Sequence, residues 1–278
     1  MEKQKVWVVT GASKGLGLAM VSYLLSKEQL VIATTRDASR FDQLLSSSVG
    51  LEVLQLDLKD EQAVRLAMED IQRRYTRIDV LVNNAGYGFL GAVEEANPEE
   101  IEDIIAVNVL SPLRMLRHVL PYMRGAGSGH IINLSSMSGI SATPAFGIYN
   151  ATKFAVEGFS EALSQELAGS GIRVTIVEPG AFRTNFLDSS IAVARRTIDD
   201  YAATAGEFRR RYLSNNGKQP GNPEIAAKLI CDVVDMDDPP LRLLLGKDAH
   251  ARALKKIDSM REEYRRTEDL TLSTDFDA

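Results

Sequence analysis

Cysteine is nearly absent: Cys231 is the only one among 278 residues, so no disulfide can form within the chain. Its neighbours at 225–234 are apolar with helical spacing, which predicts a buried, inert thiol and suits a reducing compartment. No basic run is long, and the net charge is −6, which argues against nucleic acid as the main partner. The one block of arginines, Arg209-Arg210-Arg211, reads as a solvated helix face. No apolar run approaches the length needed to cross a bilayer. Met1-Glu2-Lys3-Gln4-Lys5 leads straight into an apolar, β-rich run without the pattern of a signal peptide, so a cytoplasmic protein is expected. Histidines number three, and no metal site is apparent. There is no internal repeat and no clear linker, so the expectation is a single domain, residues 1–278.

What is present is alternation. Residues 5–10 (KVWVVT) form a short apolar run of the kind buried on both faces of a sheet. Gly11-Ala12-Ser13-Lys14-Gly15-Leu16-Gly17 follows and leads into a helix at 18–26. Strand, glycine-rich turn and helix in that order make a phosphate cradle. Glycines let the backbone approach a pyrophosphate, and the helix N-terminus offers N–H groups and the positive end of a dipole. Residues 30–35 (LVIATT) read as the second strand, followed by Arg36 and Asp37. In such folds an acid there binds the adenosine ribose, whereas an arginine accommodates a 2′-phosphate. Arg36, with Lys14 as a second cation, favours NADP over NAD; Asp37 could pair with Arg36 or contact ribose.

The third strand, 51–56, ends at Asp57-Leu58. An acid at that edge could bond an adenine amine or cap the helix expected at 60–75. Strand four, 80–82, runs into Asn83-Asn84-Ala85-Gly86, two amides and two small residues suited to a tight passage beside a ligand. A helix opened by Pro98-Glu99-Glu100 carries Asn108 in its interior, where asparagine is normally a mild cost. Strand five, 130–134, is followed by Ser135-Ser136-Met137-Ser138, and strand six, 173–177, by Glu178-Pro179-Gly180. The pattern predicts an α/β fold with a mostly parallel, doubly wound sheet of the Rossmann type. Residues 183–222 break the pattern and read as a substrate lid, helical near 188–214. A helix at 223–234, a strand at 241–246 and a charged helix at 248–266 close the chain, with a polar, acidic tail at 267–278 whose composition suits disorder.

Between strands five and six lies Tyr149-Asn150-Ala151-Thr152-Lys153. Four residues apart on a helix, Tyr149 and Lys153 share a face. An ammonium beside a phenol favours phenolate and makes it a usable acid or base nearer neutral pH. The spacing alone is common; its company makes it specific.

Taken together, Thr10-Gly11, Gly15, Gly17, Asp57, Asn83-Asn84-Ala85-Gly86, Asn108, Ser136, Tyr149, Lys153 and Pro179-Gly180 occur in an order that resembles the short-chain dehydrogenase/reductase family, in its compact single-domain branch. The resemblance spans 5 to about 186 and implies hydride transfer between NADP(H), or NAD(H), and a carbonyl or secondary alcohol. It implies that Tyr149 is the general acid/base, and that Lys153 bonds the nicotinamide ribose and lowers the phenol pKa. Ser136 would hold the substrate oxygen, with Ser135 and Ser138 as rivals. Asn108 would kink its helix and hold a water toward Lys153. Gly11, Ser13, Lys14, Gly15, Leu16, Gly17, Asn84, Ala85, Gly86, Pro179, Gly180, Phe182 and Thr184 would surround the cofactor, with Arg36, Asp57 and Leu58 at its adenosine end. None of the histidines matches a catalytic position. Phe89, Met137, Phe146, Phe186 and Leu187 are candidates for an apolar substrate pocket. Family members commonly pair the helices corresponding to 99–123 and 148–168, so a homodimer or homotetramer is implied. A non-catalytic dinucleotide sensor, and an isomerase or dehydratase with retained cofactor, are the alternatives.

Overall fold

The structure is a computed structural model that describes residues 4–41, 45 and 48–276; Met1–Lys3 and the last two residues of the expected tail lie outside the described residues. Its strands are β1 (Val6–Val9), β2 (Leu30–Thr35), β3 (Leu51–Gln55), β4 (Val80–Asn83), β5 (Gly88–Leu90), β6 (Gly129–Leu134), β7 (Ile172–Pro179), β8 (Ile191–Val193) and β9 (Arg242–Leu245). Its α-helices are α1 (Gly15–Ser26), α2 (Glu61–Tyr75), α3 (Pro98–Ile105), α4 (Ser111–Ala126), α5 (Gly147–Glu166), α6 (Phe186–Ser189), α7 (Glu207–Leu213), α8 (Pro223–Asp232), α9 (Lys247–Arg266) and α10 (Glu268–Leu272). Seven strands form one parallel sheet in the order β3-β2-β1-β4-β6-β7-β9. The chain leaves β1 toward β2 and β3, then returns to pair β4 on the other side of β1. That reversal opens a crevice at the carboxyl ends of β1 and β4, where open α/β sheets bind ligands.

The sheet is buried on both faces, and side chains alternate between them. Trp7 and Val9 of β1 pack in one apolar layer with Met20 and Leu24 of α1 and Ile230 of α8. Val6 and Val8 pack in the other with Met68 of α2, Val119 of α4 and Leu163 of α5. Each such fully buried side chain contributes about 1.5–3 kcal/mol. Cys231 is buried in the first layer, and burial pushes its thiol well above the ordinary range.

Local chemistry sets the helix ends. Asp60, not Asp57, caps α2, its side chain accepting from Ala63 N at 3.0 Å. Asn97 and Glu100 form a reciprocal capping box at α3, with Pro98 at its first position. Between α3 and α4, Ala106–Leu110 widens into a π-helical turn that contains Asn108, the kind of local irregularity that accompanies bends in helices.

The lid differs from the expected helical insertion. It holds α6, β8, a 3₁₀ turn at Asp199–Tyr201, a π turn at Ala202–Gly206 and α7. Ile191-Ala192-Val193 pairs in parallel with Gly88-Phe89-Leu90; two three-residue strands are too short to announce themselves by periodicity. Three carboxylates also fasten the lid. Glu94 accepts from Tyr201 Oη at 2.9 Å, and Glu100 accepts from Arg195 N at 3.1 Å. Glu95, 3 % exposed, accepts from Ile198 N at 3.0 Å and lies 3.5 Å from the Arg209 guanidinium. Arg209 is therefore a half-buried ion-pair partner of a buried carboxylate rather than part of a solvated face, while Arg210 and Arg211 are exposed. The stretch expected as an irregular tail is helical at α10. Among the described residues, no helix is long and apolar enough to cross a membrane.

Candidate active site

The glycine turn is held from beneath. Thr10 Oγ1 accepts from Asn84 N at 3.0 Å and Ala85 N at 3.1 Å, and Asn84 Nδ2 donates to Thr10 O at 2.9 Å and Gly11 O at 3.0 Å. Gly11 has φ +64°, and a Cβ there would meet Ala85 Cα at 2.7 Å; a Cβ on Gly17 would meet Gly11 O at 2.5 Å. Both positions require glycine, one for its backbone and both for close approach. No side chain caps the first turn of α1, and no acid stands in that turn. Its N–H groups face a cavity, the arrangement that binds phosphate. Lys14 at the N-cap position donates across to the lid, to Ser189 O at 2.6 Å and Oγ at 3.0 Å.

The cavity measures about 940 Å³ and runs along the carboxyl ends of the strands, from Arg36, Asp37 and Asp57 past the glycine turn and Gly86 to Ser136, Tyr149 and Lys153. That is the upper range for a small-molecule site and is sized for a dinucleotide with a second ligand. Ser13, Lys14, Gly15, Leu16, Leu58, Asn84, Ala85, Pro179, Gly180, Phe182 and Thr184 line it as well. Of the expected site residues only Gly17 and Asn108 do not; Gly17 lies under the turn, and Asn108 lies behind Gly86, whose added Cβ would meet its Oδ1 at 3.1 Å. Asp57 accepts from Lys59 N at 2.9 Å and is exposed toward the cavity, which removes the helix-cap reading. Asp37 accepts from Ser39 N at 3.1 Å and Ser39 Oγ at 2.6 Å, capping a short 3₁₀ turn.

At the other end, α5 delivers Tyr149 and Lys153, and the turn after β6 delivers Ser136. Lys153 Nζ donates to Leu134 O at 2.7 Å and lies 5.7 Å from the Tyr149 ring centre. Burial pulls the Lys153 ammonium down from 10.5 to about 8, against the attraction of Glu157. Burial likewise pushes the Tyr149 phenol well above its ordinary value; the Ser136 hydroxyl draws it back, and Tyr212 adds to the rise. The expected lowering of the phenol is thus not the direction here. Lys153 spends its bond on Leu134 O, and desolvation is the largest influence on the phenol. Asn108 is buried with both amide N–H groups and its oxygen engaged: Oδ1 accepts from Tyr87 N at 3.0 Å, and Nδ2 donates to Tyr87 O at 2.9 Å and Thr152 Oγ1 at 3.1 Å. Ser136 Oγ accepts from Ser138 N at 3.1 Å. Ser135 is buried and Ser138 is turned into the fold, although both touch the cavity edge.

The apolar candidates divide. Met137, Phe186 and Leu187 line the cavity; Phe89 and Phe146 do not, and pack in the apolar cluster under the lid. Phe146 still shapes the pocket indirectly, through a tilted ring contact with Tyr149 (5.5 Å between ring centres) and an edge contact with Tyr212 (4.8 Å). Tyr212 and Gln219 line the cavity too. Sequence reasoning missed them because the lid carries no periodic signal.

With that geometry in place, the comparisons agree. A family model described as short chain dehydrogenase matches residues 5–193. The 3-ketodihydrosphingosine reductase of Bacteroides thetaiotaomicron is 36% identical over 246 residues, covering 87% of this chain and 88% of its own. A short-chain dehydrogenase from Streptomyces avermitilis superposes with TM-score 0.92 at 39% identity, over 99% of this chain and 100% of that one. ElxO with NADP bound gives TM-score 0.73 at 27% identity, over 87% of this chain and 97% of that one. The chain belongs to the short-chain dehydrogenase family, a family of oxidoreductases acting on alcohol and ketone groups.

Proposed function

We propose that this protein is an NADP(H)-dependent oxidoreductase that interconverts a ketone and a secondary alcohol on an apolar substrate, with Tyr149 as general acid and base. The observation that carries the reading is one continuous cavity in which an uncapped helix N-terminus, Arg36, Ser136, Tyr149 and Lys153 meet. The residues fit the cofactor: the glycine cradle has no room for side chains, and the first turn of α1 presents unpaired N–H groups to a pyrophosphate. Arg36 and Lys14 supply cations for a 2′-phosphate, and the NADP-bound relative supports that choice. The bound dinucleotide supplies the hydride in reduction and accepts it in oxidation.

The chain's own groups handle the oxygen. As charge develops on the ketone oxygen, Tyr149 donates its proton there and Ser136 donates a hydrogen bond that strengthens with the charge. A phenol held well above its ordinary pKa remains protonated at neutral pH, as the reductive direction needs. Lys153, charged below about pH 8, stands one turn away to hold the ribose and stabilise phenolate once the proton has gone. Asn108 fixes the turn at Tyr87 and, through Thr152, the helix that carries both residues. Phe186, Leu187, Met137 and Tyr212 make the substrate end apolar, and the sphingoid-ketone relative points the same way.

The reading includes a single domain working in the cytoplasm as a homodimer or homotetramer. Ile105, Leu113 and Phe154, exposed on α3, α4 and α5, support pairing of those helices. The test is a carbonyl and alcohol panel followed by NADPH absorbance, with NADH as control. Turnover on apolar ketones with NADPH supports the proposal; cofactor binding without oxidation across the panel overturns it in favour of a dinucleotide sensor.

A further inference from the structure

Behind Lys153, on the side away from the cavity, two acids are buried together. Glu157 follows Lys153 by one turn of α5, and Glu178 closes β7 from the neighbouring strand position; they are 8 % and 1 % exposed. Charge compensation is thin. Arg242 of β9 lies 3.5 Å from Glu157 and 3.7 Å from Glu178 through the same Nε, and its Nη2 is drawn off to Glu161 at 2.7 Å. Glu157 Oε1, Glu178 Oε1 and the neighbouring Ser135 Oγ are buried without a hydrogen-bond partner. Two carboxylate oxygens facing each other lack a donor by definition. One proton between them satisfies both and leaves a single negative charge for Arg242 and Lys153.

The cluster is wedged against the active site. A Cβ on Gly139 would meet Ser135 Oγ at 2.6 Å, Lys153 O at 3.0 Å and Glu157 Cγ at 3.1 Å, so the turn carrying Ser136 packs directly on it. The groups that face the pair are Lys153 and Glu161 from α5, Arg242 from β9 and the uncharged Ser135 from the end of β6. Arg252 of α9 reaches only Ser141 O, on the outer side of the turn. Like charges in a buried site do not both ionise at neutral pH. Burial, then the Glu157 charge, pushes Glu178 up to about 8, and burial raises Glu157 also.

We infer that Glu157 and Glu178 form a proton-sharing pair whose single negative charge keeps the Lys153 ammonium charged, and so sets the pH range in which the active site works. Both are positioning residues, acting through Lys153; the inference rests on the proposed role of that lysine.

The test uses the full chain and the double variant Glu157→Gln/Glu178→Gln, which keeps shape and removes the charge. Infrared spectra of the cofactor-free protein are expected to show a protonated carboxyl band at pH 7 that disappears in the double variant. NADPH binding, followed by fluorescence, is expected to be nearly unchanged at pH 6 and about fivefold weaker at pH 8, the low end of what losing one nearby opposite charge does to a group that is half charged at that pH. A carboxyl band that survives the substitutions, or a loss of binding equal at all pH values, overturns the inference. Should the double variant not fold, Glu178→Gln alone is expected to lose the band while keeping NADPH binding at pH 8, because Glu157 then ionises alone and retains the single negative charge; a band that remains, or binding weakened at pH 8, refutes the pair. Because the infrared reading needs neither cofactor nor substrate, it separates failure of the pair from failure of the proposed reaction.

Discussion

Replacing Lys153 by Met is expected to make the cofactor-free protein more stable while ending its turnover. Methionine keeps the apolar length of the stem and removes the ammonium. Moving that ammonium's pKa from 10.5 to about 8 corresponds to roughly 3 kcal/mol of burial cost at neutral pH. Against it stands the hydrogen bond to Leu134 O, whose loss costs about 1–2 kcal/mol. The net gain is therefore on the order of 1–2 kcal/mol, or roughly 3 °C in Tm for a chain of this size. The pH dependence fixes the cause. With a depressed folded pKa, the unfolded chain binds more protons between pH 8 and 10.5, so the parent gains stability as pH rises through that window. The Met variant lacks that gain, so its advantage is lost within the window and reversed by about pH 10.5. Urea unfolding followed by Trp7, the single tryptophan and buried in the core, measures both. A Met variant less stable than the parent at pH 7, or equally advantaged at pH 7 and 10.5, refutes the argument that burial of this charge dominates.

Three further outcomes follow from the site and the lid. Tyr149→Phe should lose about 10²–10⁴-fold in turnover, the usual worth of general acid–base help, while NADPH titration shows unchanged affinity. Arg36→Leu should weaken NADPH by about ten- to a hundredfold and NADH by less than about twofold, since one charge-assisted bond to a phosphate is worth roughly 1.5–3 kcal/mol; equal losses in fluorescence titrations remove the case for NADP. Glu95→Gln should leave the Arg209 guanidinium without its anion, destabilise the fold by about 1–3 kcal/mol, and raise KM for the carbonyl substrate with little change in NADPH affinity. Thermal melts and steady-state kinetics report both.

The sheet and the cofactor end were legible because their physics is local. Strands buried on both faces must be continuously apolar, as residues 6–9 and 80–82 are, and a turn that admits no Cβ at Gly11 or Gly17 must show glycine. Asn108 was legible as an anomaly, a poor helix residue where the helix in fact opens into a π turn. What escaped depends on contacts between distant positions. The β5–β8 pairing joins residues a hundred apart through strands of three. Phe89 and Phe146 looked like pocket residues and proved to be packing, whereas Tyr212 lines the cavity with nothing in its neighbourhood of the sequence to mark it. Nothing local in Glu157 or Glu178 marks two acids that face each other, and motif spacing could not give the upward direction of the Tyr149 phenol, which burial decides.

The fastening of the lid has a consequence for engineering. Its strand β8 is completed by β5, and its half-buried polar groups, Ile198 N and the Arg209 guanidinium, are answered by the buried Glu95, about a hundred positions upstream. A graft that exchanged 183–222 alone between relatives would separate each of these groups from its counterpart and leave a carboxylate or a guanidinium stranded in an apolar cluster. The unit that can be transplanted is discontinuous: the lid together with 88–100. Changes in substrate range are therefore expected to travel as paired substitutions in these two segments rather than in the lid by itself.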